Sequence, residues 1–184
     1  MSQHDPSSPR SDVQLLADIN AGDDRAFDVL YYRHRDWVLR LAQRFTGNAD
    51  DALDVMQETF TYLVGKLPGL VLSARLTTFL YPVVKNLSIT ARRKRSPQAD
   101  GSELAELPAV PSVDPRAQRP ELAAAMRSLP ESQREVVLMR FVDDMTIAEI
   151  AVALTVPEGT VKSRLHHAIA ALRTDVRMWA YFER

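Results

Sequence analysis

The chain has 184 residues, of which 46% are hydrophobic and 26% are charged, and its net charge is −1. This composition is typical of a folded protein with one ordinary domain or two small ones. Since the chain contains no cysteine, disulfides and thiolate zinc sites are excluded, and a reducing, cytoplasmic location is favoured. No long apolar run occurs in the sequence, so we expect no membrane insertion.

The start of the chain, MSQHDPSSPRSD, lacks the apolar core of a secretory signal, so residues 1–11 are predicted to be a disordered arm. Ser11 can then cap a short helix. Apolar residues recur at intervals of three and four along most of the chain, which predicts an all-α fold with almost no strand. In the first helix the residues expected to point inward are Val13, Leu16 and Ile19.

Two longer helices are predicted to follow. The first carries an apolar stripe from Phe27 to Phe45, and Gly47 suits its end. Asn48 can cap the second, which places two aspartates in the first turn, where the helix dipole favours acids. The residues of the second helix expected to point inward are Leu53, Met56, Phe60 and Leu63.

Charges are segregated along this part of the chain. From Gly47 to Gly65 there are four acids and no Lys or Arg, whereas from Lys66 to Arg95 there are seven Lys or Arg and no acid. Such blocks indicate two different partners on neighbouring surfaces. The acidic helix could instead be a solvated face, and the basic end could be a solvated helix terminus that the dipole favours.

The basic block also contains aromatic residues. Cations interleaved with Phe79 and Tyr81 suit single-stranded nucleic acid, because cations follow phosphates and rings stack on bases. The alternative for each aromatic ring is a place in the core. Pro82 lies within this apolar and basic segment, from Leu76 to Arg95, so we expect the helix either to kink or to begin there.

Residues 96–120 hold five prolines and few large apolar side chains. Such a segment cannot bury a core and is predicted to be an extended, flexible linker. Helical periodicity resumes at Glu121 and continues to the end. We therefore predict two small helical domains, over residues 12–95 and 121–184.

The second domain carries a helix-turn-helix pattern, TIAEIAVALTVPEGTVKSRLHHAIAALR. Thr146 and Glu149 form a capping box at the start of the first of its two helices. The second helix is expected to run from about Pro157 to Arg173. Between them, Thr155 either adopts a left-handed turn, where glycine is usual, or forms a second capping box with Glu158.

The second of these helices has two distinct faces. A buried face of Val161, Leu165, Ala168, Ile169 and Leu172 opposes Gly159, Ser163 and His167. Thr160 and Arg164 flank the outward face on one side, and Lys162 and His166 on the other. Small outward residues let a helix enter the major groove, while cations reach phosphates and guanine edges. The alternative is a solvated amphipathic helix that only packs.

We predict no enzyme activity and no cofactor. The sequence shows neither a Ser–His–Asp pattern nor a pair of glutamates suited to catalysis. His166 and His167 are adjacent and therefore point to different sides of their helix, which disfavours a metal site.

Three stretches together resemble one known family. LPESQREVVLMRFVDDMTIAEIAVALTVPEGTVKSRLHHAIAALR (129–173) is similar to the carboxy-terminal DNA-binding region of bacterial RNA polymerase sigma factors of the extracytoplasmic-function group. DDALDVMQETFTYL (50–63) resembles their polymerase-binding helix, and TTFLYPVVKNLSITARRKR (77–95) their promoter-melting helix. The resemblance implies a protein that docks on RNA polymerase core, recruits it to promoters and opens the duplex. An anti-sigma factor is a further candidate partner.

The resemblance also implies site residues. Polymerase contacts would come from Asp51, Asp54, Gln57 and Glu58. The unpaired strand of the downstream element would be held by Asn86 and the basic residues around it, Arg75, Lys85, Arg92, Arg93, Lys94 and Arg95. The stacking argument from the residues themselves adds Phe79 and Tyr81 to this set. The upstream element would be bound by Gly159, Thr160, Lys162, Ser163, Arg164 and His167.

The chain departs from the family around the melting helix. Phe79 stands where members usually carry tryptophan, Pro82 where a polar residue is frequent, and residues 70–72 where a polar or acidic loop is usual. Two other functions stay open at this point. One is a stand-alone helix-turn-helix regulator that binds operator DNA without polymerase, and the other is an RNA-binding module.

Overall fold

The structure is a computed structural model that describes residues 9–95 and 120–176, and these residues form helices and no strand. The predicted all-α fold is therefore confirmed for the described part of the chain. The chain divides into two compact units between Ala99 and Asp100. The predicted linker, up to residue 119, and the first eight residues of the predicted arm lie outside the described residues.

The described residues of the first unit form four helices: α1 (Asp12–Asn20), α2 (Asp24–Thr46), α3 (Ala49–Val64) and α4 (Leu76–Arg95). The long helix α2 packs against each of the other three, and α3 also packs against α4. Among the described helices of either unit, none combines the length and the apolarity that a bilayer span requires. The core of the unit includes the fully buried side chains Leu30, Val38, Leu41, Leu63, Leu80 and Val84.

Capping residues that the sequence predicts are found at several helix ends of the first unit. Ser11 forms a capping box with Gln14 at the start of α1. Gly47 ends α2 in the left-handed conformation, with φ of 66°. The side-chain oxygen of Asn48 accepts hydrogen bonds from the amides of Asp50 and Asp51 at 2.9 and 3.0 Å. These groups satisfy backbone donors and acceptors that a helix end leaves without partners.

Two residues expected in the core lie on the surface. Val13 is 59% exposed, because α1 turns Leu15 and Leu16 towards α2. The side chain of Asp12 reaches Arg33 and His34 of α2, which fixes this rotation. Leu53 is 43% exposed, because the buried face of α3 contains Ala52 and Val55 instead.

The second unit contains α5 (Pro120–Ser128), α6 (Glu131–Phe141), α7 (Ile147–Leu154) and α8 (Glu158–Thr174). Helix α8 packs against both α6 and α7. The predicted capping box is present: the amide of Glu149 donates to the Thr146 hydroxyl at 3.2 Å, and the amide of Thr146 donates to the Glu149 carboxylate at 2.8 Å. The buried side chains of these helices include Val136, Met139, Ile150, Val161 and Leu165.

The turn between α7 and α8 decides between the two expectations for Thr155. Thr155 has φ of 55° and ends α7 in the left-handed conformation. The amide of Val156 then donates to the carbonyl of Ala151 at 3.0 Å. A second capping box does not form, because Pro157 caps α8 and supplies no side-chain hydrogen bond. A β-branched residue therefore occupies the position where glycine would be least strained.

Candidate nucleic-acid and polymerase interfaces

The acidic face of α3 is exposed along most of its length. Asp54, Gln57 and Glu58 are exposed, and Asp51 is half-buried. Leu53 lies exposed among them, which the sequence did not predict. An apolar side chain surrounded by acids is a surface suited to a basic protein partner with some apolar area.

Asp51 belongs to two surfaces at once. Its carboxylate accepts a hydrogen bond from the Arg95 guanidinium, at 2.5 Å, and the same guanidinium reaches the carbonyl of Thr46 at 3.4 Å. A surface groove of about 340 Å³ lies between α3 and α4. Acids of α3 line one wall, and Lys94 and Arg95 of α4 line the other. A residue expected to bind polymerase is therefore paired with one expected to bind DNA.

The basic residues of α4 concentrate at its carboxy-terminal end, where the helix dipole favours cations. Arg93, Lys94 and Arg95 are exposed, as is Asn86, about two turns earlier in the helix. Lys85 and Arg92 are half-buried and, like the exposed Arg75 before the helix, also interact within the protein. The exposed cations can therefore reach a phosphate backbone without rearrangement of the helix.

The two aromatic residues of the basic block differ in position. Tyr81 is only 1% exposed and packs edge-on against Phe45 at 6.0 Å between ring centroids. Its ring cannot stack on a base from this position, so the core alternative is correct for Tyr81. Phe79 is half-buried and stacks on Tyr62, with centroids 6.3 Å apart and an interplanar angle of 30°.

Pro82 lies inside α4, which runs through it from Leu76 to Arg95. Of the two alternatives for Pro82, a helix that begins at this residue is therefore excluded. Because proline has no N–H, the carbonyl of Thr78 lacks its usual α-helical donor. The first turn of α4, which carries Phe79, is thus joined to the rest of the helix by fewer hydrogen bonds.

The loop between α3 and α4 is held by α1. The side-chain oxygen of Asn20 accepts from the amide of Gly69 at 2.9 Å, and its side-chain nitrogen donates to the carbonyl of Leu70 at 3.4 Å. Gly69 has φ of +113°, a conformation that other residues rarely adopt. Beyond this anchor, Val71 is 86% exposed. An apolar residue is thus presented to solvent next to the basic helix.

Helix α8 shows the two faces that the sequence predicts. Val161, Leu165 and Ala168 are buried, and Ile169 and Leu172 are half-buried. Nothing lies within 4 Å of a Cβ placed on Gly159, so the first turn has an open surface. The outward residues Ser163, His167, Lys162 and His166 are exposed, and Thr160 and Arg164 are half-buried.

The first turn of α8 can accept an anion. No side chain caps it, so the positive end of the helix is available to an outside acceptor such as phosphate. Lys162 lies 3.5 Å from Glu158 in an exposed pair, which is too weak to hold the lysine in place. Across the described residues, no group of three or more histidines and acids is placed to hold a metal.

The comparisons with known proteins agree on one family. The sequence matches Sigma-70 region 2 over residues 30–98 and Sigma-70 region 4 over residues 119–172. It is 34% identical over 167 residues to ECF RNA polymerase sigma factor SigM of Mycobacterium tuberculosis, an alignment that covers 89% of this chain and 83% of the relative. The chain belongs to the extracytoplasmic-function group of the sigma-70 family.

A second relative of this sigma factor is ECF RNA polymerase sigma factor SigW of Bacillus subtilis, which is 27% identical over 177 residues, covering 88% of this chain and 95% of the relative. The fold resembles that of the sigma factor RpoE from Bartonella quintana, solved in complex with the anti-sigma factor NepR. The TM-score is 0.61 and the identity 18%, over 83% of this chain and 98% of that one.

Membership decides between the functions left open by the sequence. The protein is a sigma factor, which binds RNA polymerase core, directs it to promoters and takes part in transcription initiation. The stand-alone regulator is not favoured. Sigma factors are in general not enzymes, which agrees with the expectation of no catalytic site.

Proposed function

We propose that this sigma factor binds its partners through three surfaces. The acidic face of α3 docks on polymerase core, the exposed part of α4 holds the unpaired promoter strand, and the outward face of α8 binds the upstream duplex element. Residues 12–95 would form the first functional domain and residues 121–184 the second, joined by the linker at 96–120. The observation that carries the proposal is the open, uncapped, small-residue face at the start of α8.

For polymerase docking we assign Asp51, Asp54, Gln57 and Glu58, and we add Leu53. Exposed apolar area at the centre of an interface contributes most of the affinity, whereas surrounding charges steer the encounter. Leu53 is the exposed apolar side chain in the middle of this acidic face. Arg95 would have to release Asp51 for this carboxylate to bind polymerase. The Arg95 side chain is 47% exposed and that of Asp51 is 23% exposed, so solvent screens the pair and its loss should cost little.

For the unpaired strand we assign Phe79 and the polar or basic residues of this block, and we exclude Tyr81. Phosphate contacts would come from cations, and the Phe79 ring would stack on a base. The residues assigned to phosphate or backbone contacts are Arg75, Lys85, Asn86, Arg92, Arg93, Lys94 and Arg95.

For the upstream element we assign Gly159, Thr160, Lys162, Ser163, Arg164 and His167. Arg164 flanks the outward face and can reach a base edge, whereas Lys162 is better placed for a phosphate. Removal of a base contact costs about 1–3 kcal/mol and relaxes the preference at one position. Removal of a phosphate contact weakens all sequences about equally and lowers the salt slope by about one unit.

The experiment measures binding of holoenzyme to a small library of upstream-element variants at two salt concentrations. Arg164→Ala should change the ranking of the variants, and Lys162→Ala should lower every affinity without changing the ranking. Thr174→Ala, at the far end of the same helix, is the matched control and should change neither. If Arg164→Ala keeps the ranking and the affinities of the wild type, α8 does not read bases through this side chain.

We also propose a cytoplasmic location and a protein inhibitor of the anti-sigma kind. Polymerase and promoter DNA, the partners of a sigma factor, are both cytoplasmic in bacteria. The similarly folded sigma factor of Bartonella quintana was solved with an anti-sigma factor bound. Affinity capture on the immobilised sigma factor, with excess polymerase core as competitor, tests the proposal. A captured inhibitor should be displaced by core.

A further inference from the structure

An aromatic pair lies where the acidic helix ends and the basic block begins. Tyr62, in the last turn of α3, stacks on Phe79 of α4 with 6.3 Å between ring centroids. Tyr62 is 41% exposed, so its ring forms part of the surface. The ammonium of Lys66 lies 5.0 Å from the centroid of the same ring. An exposed ring, a second ring behind it and a cation are the elements of a site for an unpaired base.

We propose that Tyr62 and Lys66 belong to the single-strand interface of this sigma factor. In this arrangement Tyr62 stacks on an unpaired base and Lys66 binds the adjoining phosphate. The inference rests on the proposed role of α4, and it extends the interface onto the end of the helix whose earlier turns are assigned to polymerase.

The charges around Tyr62 support nucleic acid as its partner. Tyr62 lies one turn beyond Glu58, the last acid of α3, and from Lys66 to Arg95 the sequence contains seven cations and no acid. Residues four apart are neighbours on a helix surface, so Glu58 and Tyr62 are adjacent on α3. Lys66 follows the end of this helix and lies over the Tyr62 ring, so the exposed surface changes from acidic to aromatic and basic between Glu58 and Lys66. The boundary between the two interfaces therefore lies within α3.

Lys66 can leave the ring when DNA arrives. Lysine has a flexible stem and a compact charge, and a cation–π contact at an exposed site is weak. A phosphate offers the ammonium a stronger partner, and the movement of the ammonium uncovers the ring for a base. The same residue thus covers Tyr62 in the free protein and contacts the strand in the complex.

The test uses holoenzyme and a short fluorescent DNA that contains an unpaired segment of mixed sequence, with polymerase core alone as the baseline. Tyr62→Ala should weaken binding about 5- to 150-fold, which is the range of base stacking on an aromatic side chain. Tyr62→Phe should restore it, because the ring and not the hydroxyl stacks. Lys66→Gln should lower the slope of log affinity against log salt by about 0.7, as expected for one phosphate contact on a single strand.

Val64→Ala is the matched control, since Val64 is 49% exposed in the same turn of α3. This variant should bind the DNA as the wild type does.

Phe79→Ala separates this inference from the proposal on which it rests. If Phe79→Ala weakens binding and Tyr62→Ala does not, only the inference fails. If neither change weakens binding, the role of α4 is wrong as well. A loss of affinity of Tyr62→Ala for polymerase core, measured without DNA, would place the ring in the polymerase interface and overturn the inference.

Discussion

His34, buried in α2, lies 2.9 Å from the carboxylate of Asp12, the first residue of α1. Arg33 donates to the other carboxylate oxygen at 2.7 Å. Burial alone would raise the pKa of Asp12, but the hydrogen bonds and charges of His34 and Arg33 outweigh it and hold that pKa below its ordinary value. This carboxylate therefore links α1 to α2, in addition to the buried contacts of Leu15 and Leu16.

Asp12→Asn should lower the free energy of unfolding of the first unit by about 1–3 kcal/mol near neutral pH, the range for hydrogen bonds to charged groups. Because the pKa of Asp12 is lower in the folded state, its stabilisation is complete above the unfolded pKa of about 3.9 and is lost as the pH falls through the folded value. The variant should therefore lose less stability than the wild type on acidification below about pH 4.

Urea unfolding measures this difference, with Trp37 fluorescence as the reporter of the first unit in a Trp179→Phe background. Asp18→Asn is the control on the same helix. Asp18 pairs with Arg10 at 2.7 Å but is 39% exposed, so its removal should cost less than about 1 kcal/mol. Equal losses for the two variants, with parallel pH curves, would contradict a special role for Asp12.

Reversal of charge on the acidic face of α3 should weaken polymerase binding. Asp54→Lys combined with Glu58→Lys is expected to reduce the affinity for core at least about tenfold, because like charges placed against a basic partner repel it. Asp36→Lys is the control, since Asp36 is 69% exposed on α2, outside this face. Affinity is measured by fluorescence anisotropy of labelled sigma factor with core, and circular dichroism verifies helix content. Unchanged affinity of the double variant would exclude this face.

Replacement of Thr155 by glycine should stabilise the second unit. A β-branched residue at φ of 55° is strained, and glycine at this position should raise the free energy of unfolding by about 0.5–1 kcal/mol. Asp144→Gly is the comparison, since Asp144 also has a positive φ of 51° but aspartate tolerates this conformation better. Its gain should be smaller. Chemical denaturation, monitored through helix content, measures the free energy of unfolding of both variants. Destabilisation by Thr155→Gly would indicate that the threonine side chain stabilises the fold by more than its backbone strain costs.

Leu165 should contribute to stability rather than to DNA recognition. It is buried on the inner face of α8, so Leu165→Ala should leave a cavity and cost about 2–5 kcal/mol. Val152→Ala, at a site 61% exposed on α7, should cost less than about 0.5 kcal/mol. Thermal unfolding compares the two variants. A small loss for Leu165→Ala would mean that α8 is packed differently from the arrangement described above.

Local chemistry made the helix boundaries predictable. Ser11, Asn48 and Thr146 cap helices through hydrogen bonds to residues two or three positions away, and such bonds depend on a few neighbouring residues only. The faces of α8 were equally accessible from periodicity. The rotation of α1 could not be predicted from periodicity, because it depends on contacts of Asp12 with Arg33 and His34, which lie 21 and 22 positions away in the sequence.

The contacts within the candidate interfaces were harder to predict than the helix boundaries, because they join residues that are far apart in the sequence. Tyr62 and Phe79 are 17 positions apart, yet their rings stack; Arg95 and Asp51 are 44 apart, yet they form an ion pair. Neither pairing leaves a signal in spacing or composition. The sequence also did not determine whether Tyr81 is buried, since an aromatic residue among cations is compatible with a place in the core and with a base-stacking surface.

The contacts of Asn20 make the loop before α4 depend on a residue of α1. The match to Sigma-70 region 2 begins at residue 30, so Asn20, which holds Gly69 and Leu70, is supplied from outside it. A single substitution at this position would change how the Leu70–Leu72 loop is presented without altering any residue assigned to DNA or polymerase. The geometry of the chain that leads into the basic helix therefore depends on a side chain of α1, and not only on the sequence of the loop itself.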